Sequence, residues 1–324
     1  MRAAPVIVVG AGPAGCAAAV QCRRLGLDVR LFDHAGCAGG LIRNAHWIEN
    51  YPGLEPLNGL MFAARLEEHL ARFGIDIEPR RVERVCETEL EPARERVWAI
   101  ETSTPDGGRE SIEAGAVILA PGTRARALGV PGEAEQVGRT VFHEVRDLLA
   151  VVSRPRRAIV AGGGEAALDY ALTLASAGAS VLVLMRGERP RAAARLVAAV
   201  AARSTIKLRT GVSPEHIRPA DHGIGLEIAS VKGHDTTPAT LTADALLVAV
   251  GRESRTDEIV PGLGPADGEL APTNRPGLYV IGDARLGCLG QAGIAVGDGL
   301  AAAMRAAEWL ARVPGERPVR TRFP

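Results

Sequence analysis

Val6-Ile7-Val8-Val9-Gly10-Ala11-Gly12-Pro13-Ala14-Gly15 reads as a short apolar strand running into a glycine turn, and Cys16 to Leu25, closed by Gly26, continues it as a helix. Such a turn leaves the first helical N–H groups without intrahelical partners at the positive end of the helix dipole, which suits a phosphate. Gly10 makes the tight turn, Gly12 admits a pyrophosphate to the backbone, and Gly15 lets helix and strand pack closely. A second strand, Val29-Arg30-Leu31-Phe32, ends on Asp33 about 20 residues on, where a carboxylate can accept hydrogen bonds from a ribose diol. Strand, loop, helix, strand and acid in this order predict a dinucleotide cradle of Gly10, Gly12, Pro13, Ala14, Gly15 and Asp33.

The unit recurs. Strand Ala158-Ile159-Val160-Ala161 leads into Gly162-Gly163-Gly164-Glu165-Ala166-Ala167, a helix through Ala177 stopped by Gly178, and a strand from Val181 to Met185. Repetition of one supersecondary unit implies two separate dinucleotide sites. The second strand here ends without an acid and is followed by Arg186, with Arg191 nearby. Guanidinium groups bind a 2′-phosphate that a carboxylate would repel, so NADPH is favoured over NADH in this site; the alternative is that both arginines are solvated surface charges.

Two apolar runs, Ala116 to Ala120 closing on Pro121-Gly122-Thr123 and Ala245 to Val250 closing on Gly251, read as buried parallel strands that leave their domain. The second cradle is then an insertion at residues 123–250 within a discontinuous first domain of residues 1–122 and 251–324. Between the cradles, Arg81 to Glu113 is polar and β-prone, with a hairpin turn at Asp106-Gly107-Gly108. The run from Gly299 to Arg312 predicts a last helix.

The chain's 324 residues carry 38 basic and 38 acidic side chains, so no charge excess points to nucleic acid or an acidic membrane, and 3% aromatics leave few rings to stack on bases. Neither a signal peptide nor an apolar run of spanning length is apparent, and a cytoplasmic location is expected. The five cysteines, Cys16, Cys22, Cys37, Cys86 and Cys288, include no CxxC pair, which argues against a disulfide framework, a metal site or a dithiol motif.

With these motifs in view, nearly the whole chain resembles the low-molecular-weight thioredoxin reductase family. Four blocks carry the resemblance: Gly10 to Gly15 with Asp33; Gly39-Gly40-Leu41 followed by Ile48-Glu49-Asn50-Tyr51-Pro52-Gly53; Gly162 to Asp169; and Tyr279-Val280-Ile281-Gly282-Asp283 with Gln291 and Gly297-Asp298-Gly299. The resemblance implies an α/β fold of two Rossmann-like, three-layer ββα domains, the second inserted in the first, with FAD in the first and NADPH or NADH in the second. It extends the FAD contacts to Gly40, Leu41, Asn50, Ala120, Gly122, Gly282, Asp283, Gln291 and Ala292. The nicotinamide nucleotide is assigned Gly162, Gly163, Gly164, Glu165, Ala166, Arg186, Arg191 and Gly251. It further implies a homodimer through the FAD domains, and domain rotation with hinges near Gly122-Thr123 and Val250-Gly251.

The departures decide the rest. Where thioredoxin reductases carry CxxC before the second cradle, this chain reads Val141-Phe142-His143-Glu144-Val145-Arg146-Asp147-Leu148. It is similar in this to ferredoxin or flavodoxin–NADP reductases and bacillithiol-disulfide-reductase-like proteins of the same fold, although the cysteine of the latter is here Ala14. The family's Gly-Gly-Gln is Gly39-Gly40-Leu41, and its paired arginines are Arg186-Gly187. An electron acceptor outside the chain is therefore expected, either a small redox protein such as ferredoxin or flavodoxin, docked on a basic rim that could include Arg43, Arg124 and Arg126, or a small or protein-bound disulfide. His143 is a candidate proton donor and Cys288 a candidate redox thiol, each weighed against a capping or packing role. The rival class is a silent flavin- and nicotinamide-binding sensor.

Overall fold

The structure is a computed structural model that describes residues 4–88, 97–231, 239–263, 273, 275–287 and 290–312. The chain divides into two units: residues 1–43, 48–124 and 253–324 form the first, and residues 44–47 and 125–252 the second. The four-residue stretch 44–47, which spacing alone leaves with the first cradle, thus belongs to the second unit.

In the first unit five parallel strands lie in the order Leu278–Val280, Ala116–Leu119, Val6–Val9, Val29–Asp33 and Ile77–Pro79. Successive side chains on a strand point to opposite faces, so a sheet covered on both sides reads as the continuous apolar run seen in these segments. Val6, Val8, Leu31, Ile118 and Tyr279 pack with helices Pro13–Arg24 and Ala292–Arg312. Their neighbours Ile7, Val9, Phe32, Val117 and Leu278 pack with Val82, Trp98, Ile100 and Ile112. These last four come from the antiparallel sheet of Arg81–Thr88, Val97–Ser103 and Arg109–Ala114, in which Ser103 pairs with Arg109 around the Asp-Gly-Gly turn. Three layers, two of sheet and one of helix, result.

The second unit repeats the scheme. Its parallel strands run in the order Ile206–Thr210, Ser180–Met185, Arg157–Ala161, Ala245–Val248 and Val141–Phe142. Val160, Val183 and Leu247 face helices Glu165–Ser176 and Ala194–Ala201. Ile159, Leu184 and Leu246 face Ile217, Ile224 and Leu226 of the antiparallel sheet Val212–Ala220, Gly223–Ser230 and Ala239–Ala243. Each unit closes its own chain ends: Arg255 N–H reaches Gly122 O at 3.4 Å in the first, and Arg126 N–H reaches Gly251 O at 3.0 Å in the second. Among the described residues no helix is long and apolar enough to cross a membrane.

The last helix begins at Ala292, seven residues ahead of the stretch that composition alone marks. It lies against Pro13–Arg24, and small residues make the approach possible: a Cβ on Gly299 would stand 2.2 Å from Ala14 O.

Candidate functional sites

Both glycine turns sit at the carboxyl ends of the central strands of their sheets, where open α/β sheets place ligands. In the first, Gly10 has φ +98°, and a Cβ there would lie 2.2 Å from Ala120 O; a Cβ on Gly15 would lie 1.8 Å from Gly10 O. Those two glycines are required by packing. Gly12 differs: a Cβ on it meets nothing within 4 Å, and as the residue capping helix Pro13–Arg24 it offers no side chain to the first-turn N–H groups. An open face, free amides and the helix dipole together fit a pyrophosphate, which is the test that the FAD expectation has to pass.

The other expected FAD residues gather around this turn. Gly39 N–H donates to Ala11 O at 2.8 Å, and a Cβ on Gly40 would lie 3.6 Å from Gly12 Cα. This brings Gly40, the residue before Leu41, against the loop. Ala120 N–H donates to Val9 O, so Ala120 and Gly122 follow the strand beside the cradle. A Cβ on Gly282 would be 2.9 Å from Ala14 Cβ, and one on Gly290 would be 2.7 Å from Asp283 Oδ1. Asn50 Nδ2 donates to Gln291 Oε1 at 2.7 Å, just ahead of Ala292. Asp33 accepts N–H groups from Ala11 at 2.9 Å and Ala35 at 2.8 Å, which fixes its carboxylate at the outer edge of the turn.

In the second unit Gly162 has φ +147°, with a Cβ position 2.2 Å from Ala249 O, while a Cβ on Gly164 meets nothing within 4 Å. Gly164 caps helix Glu165–Ser176, again without a side chain. The loop after strand Ser180–Met185 is tied to this cradle: Arg191 N–H donates to Gly163 O at 2.7 Å, and Ala193 N–H donates to Glu165 Oε1 at 3.2 Å. Arg191 is thereby held beside the turn with an exposed side chain, as is Arg186 at the end of the strand. Gly251 follows the neighbouring strand with φ +129°. Ala166 lies exposed in the first helical turn.

The chain matches the pyridine nucleotide-disulphide oxidoreductase family over residues 4–308. It belongs to that family. Within it, the thioredoxin reductase of Mycolicibacterium smegmatis is 30% identical over 94% of this chain and 96% of its own. Thioredoxin reductase from Lactococcus lactis, solved in its FR conformation, superposes with a TM-score of 0.84 at 27% identity, covering 96% of this chain and 100% of that one. A bacillithiol disulfide reductase from Bacillus cereus shares the fold, with a TM-score of 0.73 at 20% identity over 95% of this chain and 99% of that one. Thioredoxin-reductase-like members of the family are oxidoreductases that use FAD and NADPH.

At the position where the CxxC would stand, Glu144 is the centre of a network that spacing did not reveal. It accepts from Tyr170 Oη at 2.7 Å and from Asn44 Nδ2 at 3.0 Å on one oxygen, and from Arg252 Nη1 at 2.7 Å on the other. His143 beside it faces Glu133: its Nε2 is buried, without a hydrogen-bond partner, 3.6 Å from Glu133 Oε1. That carboxylate already accepts from the N–H groups of Leu128 and Gly129. His143 thus stands against a carboxylate that backbone N–H groups already occupy, and it caps no helix, since the residue ahead of helix Val145–Val151 is Glu144.

Cys288 lies outside the described residues. Cys16 and Cys22 are buried, and burial pushes both thiols up to about 12, which makes them inert. The arginines expected at a basic rim are engaged: Arg124 pairs with Glu253 at 2.7 Å and Glu258 at 2.8 Å, and Arg43 Nη1 donates to Cys37 Sγ and Ala38 O. Arg126 also has a partner.

Two residues that stand in the resemblance blocks, but to which spacing assigns no role, have clear structural consequences. Asp298 is buried and paired with Arg285 beside the first cradle. Asp169 accepts His46 N–H at 2.8 Å, holding the stretch 44–47 against helix Glu165–Ser176. A signal for the first existed: aspartate between two glycines inside a helical run contradicts helix propensity and calls for a specific reason.

Proposed function

We propose that the chain is an FAD-dependent NAD(P)H oxidoreductase without a dithiol relay, which passes electrons from the flavin directly to an external acceptor. The observation that carries this reading is the pair of separately built, open-faced glycine cradles in a chain of this family that has no CxxC. The first unit is read as the FAD domain and the second as the NAD(P)H domain. When bound, FAD and NADPH supply the redox chemistry, and the protein contributes binding and orientation.

Gly12, Pro13, Ala14 and Gly40 line the pyrophosphate position, Asp33 holds the ribose end, and the Asn50–Gln291 hydrogen bond orients the flavin side of the cradle. Arg191, held on the second cradle by its own backbone, and Arg186 are read as the 2′-phosphate contacts that make NADPH the preferred donor. The acceptor is a ferredoxin or flavodoxin, or a small or protein-bound disulfide. The pairing of Arg124 with Glu253 and Glu258 in its own unit weakens the argument for an acidic partner docked there. The homodimer is supported by apolar side chains left exposed on the first unit, Leu60 and Met61 on helix Gly59–Arg72 and Leu300 and Met304 on helix Ala292–Arg312.

An anaerobic absorbance titration of the flavin-loaded protein with NADPH and NADH in parallel tests the reading. Bleaching of the visible flavin band at lower NADPH than NADH is expected, followed by reoxidation on adding one acceptor from a panel of ferredoxin, flavodoxin and disulfides. A bound flavin that neither nucleotide reduces would favour the sensor class instead.

A further inference from the structure

Gly282, the residue before Asp283, has φ 67° and ψ −151°, a conformation that only glycine holds easily, and its buried N–H needs an acceptor. Asp298 provides one from the helix that follows: its Oδ2 accepts Gly282 N–H at 3.1 Å. The same carboxylate takes a fork from Arg285, Nε at 3.1 Å and Nη2 at 2.7 Å. Asp283 therefore stands between two residues that are both tied to one buried anion, on the helix whose start carries Gln291.

A buried ion pair adds little stability by itself, because the desolvation of both charges offsets their attraction, and apolar residues of similar volume often do as well. What Leu and Met could not supply here is an oriented acceptor for the Gly282 amide. The pair is also neutral as a whole, so it acts on the site through geometry and not through its field. Asp298 sits between Gly297 and Gly299 in the interior of a helix, a run poor in helix formers, which is hard to account for unless the position has a specific task.

We infer that Asp298, whose charge Arg285 balances, is a positioning residue of the flavin site: it locks the Gly282–Asp283 turn in the shape that receives FAD. The inference rests on the first unit being the FAD domain. It assigns the carboxylate no contact with the cofactor; the effect runs through the backbone of Gly282 and the side chain of Asp283.

The experiment strips FAD from the full-length protein, titrates it back by quenching of flavin fluorescence, and records thermal unfolding of the FAD-free protein alongside. Two double variants are compared with the wild type. Asp298→Leu with Arg285→Met removes the charges and the acceptor together; Asp298→Asn with Arg285→Met removes the charges and keeps an acceptor oxygen. The first is expected to unfold near the wild-type temperature yet bind FAD about tenfold or more weakly, as suits a buried amide left without a partner. The second is expected to stay within about threefold of the wild type. Equal FAD affinity in the Leu/Met variant and the wild type would overturn the inference, as would an equal loss in both variants. If the Leu/Met variant does not fold, Asp298→Ala with Arg285→Met takes its place: FAD bound about tenfold or more weakly than by the Asn/Met variant supports the inference, and equal affinity of the two overturns it. A wild-type protein that takes up no FAD would instead overturn the reading of the first unit, and the inference with it.

Discussion

The two cradles meet the same demand for a phosphate-binding turn in different ways. In the first, the sixth position is Gly15, where a Cβ would collide with Gly10 O at 1.8 Å; in the second it is Ala167, whose methyl would lie 3.1 Å from a Cβ on Gly162. Distant segments of its own unit press on the first: Gly39 through Ala11 O, Gly282 against Ala14 Cβ, and Gly299 against Ala14 O. The second is edged by the loop that carries Arg191 and Ala193. A turn enclosed on several sides by its own unit suits a group that stays bound, whereas one edged by a loop suits a carrier that arrives, reacts and leaves.

The comparison breaks most visibly at Gly15. Gly15→Ala puts a methyl onto a backbone carbonyl that cannot move without opening the turn, so a destabilisation on the order of 3 kcal/mol or more and loss of bound flavin are expected. Flavin-to-protein ratio and the unfolding midpoint measure it. A fully flavinated Gly15→Ala protein of unchanged stability would mean that the first turn is no tighter than the second.

The helices behind the turns differ as well. Pro13–Arg24 buries alanines against its own unit, whereas Glu165–Ser176 presents Asp169 to the backbone of stretch 44–47. Burial raises the Asp169 carboxyl from 3.8 to about 6, against the opposing pull of N–H groups donated by His46 and Trp47. A carboxyl raised on folding binds its proton more tightly in the native protein. Its stabilising contribution is therefore fully present below about pH 3.8 and lost as pH rises through about 6, a change of about 3 kcal/mol at most. His46 acts oppositely, since burial and Arg203 lower its pKa. Urea unfolding of the second unit across pH 4 to 7 in a His46→Asn background should show this loss, and adding Asp169→Asn should flatten it. An unchanged slope would place the carboxylate in water.

How much of this was legible in the sequence follows from what each feature depends on. The turns and their strands were readable because glycine at a fixed spacing is a local necessity. So was the three-layer order once the family resemblance was admitted, since continuous apolar strands need cover on both faces. The ties at Glu144 and Asp169 were not readable, and for Asp298 the sequence signals a task without naming the partner. Each joins residues that are far apart in the chain, such as Glu144 with Arg252, and a carboxylate carries no mark of which distant donor it will meet. His143 shows the converse: its place in the sequence suggested chemistry, while the carboxylate it faces, 3.6 Å away on Glu133, could not be read from spacing.

A smaller effect is expected at Arg191, whose backbone is fixed to Gly163 while its guanidinium stays exposed. If it grips a 2′-phosphate, Arg191→Ala raises KM for NADPH about tenfold with kcat nearly unchanged and leaves KM for NADH where it was. Equal losses with both nucleotides would show instead that the residue shapes the cradle and does not choose the donor.

The smallest effect, and the sharpest test of the contrast, is Ala167→Gly, which gives the second turn the glycine spacing of the first. Ala167 is buried near the start of helix Glu165–Ser176, and its methyl packs toward Gly162 without a clash. Nothing around it demands glycine, so the exchange should cost only the helix propensity difference and a small void, about 1 kcal/mol. Affinity for NADPH should hold, because the open face belongs to Gly164 and the arginines lie elsewhere. Unfolding midpoints and NADPH titrations of the variant measure both quantities. A stabilised variant, or one that binds NADPH far more tightly, would mean that the helix had been held away from its strand by that methyl, and that the looser turn is a property of one side chain and not of the way the second unit is built.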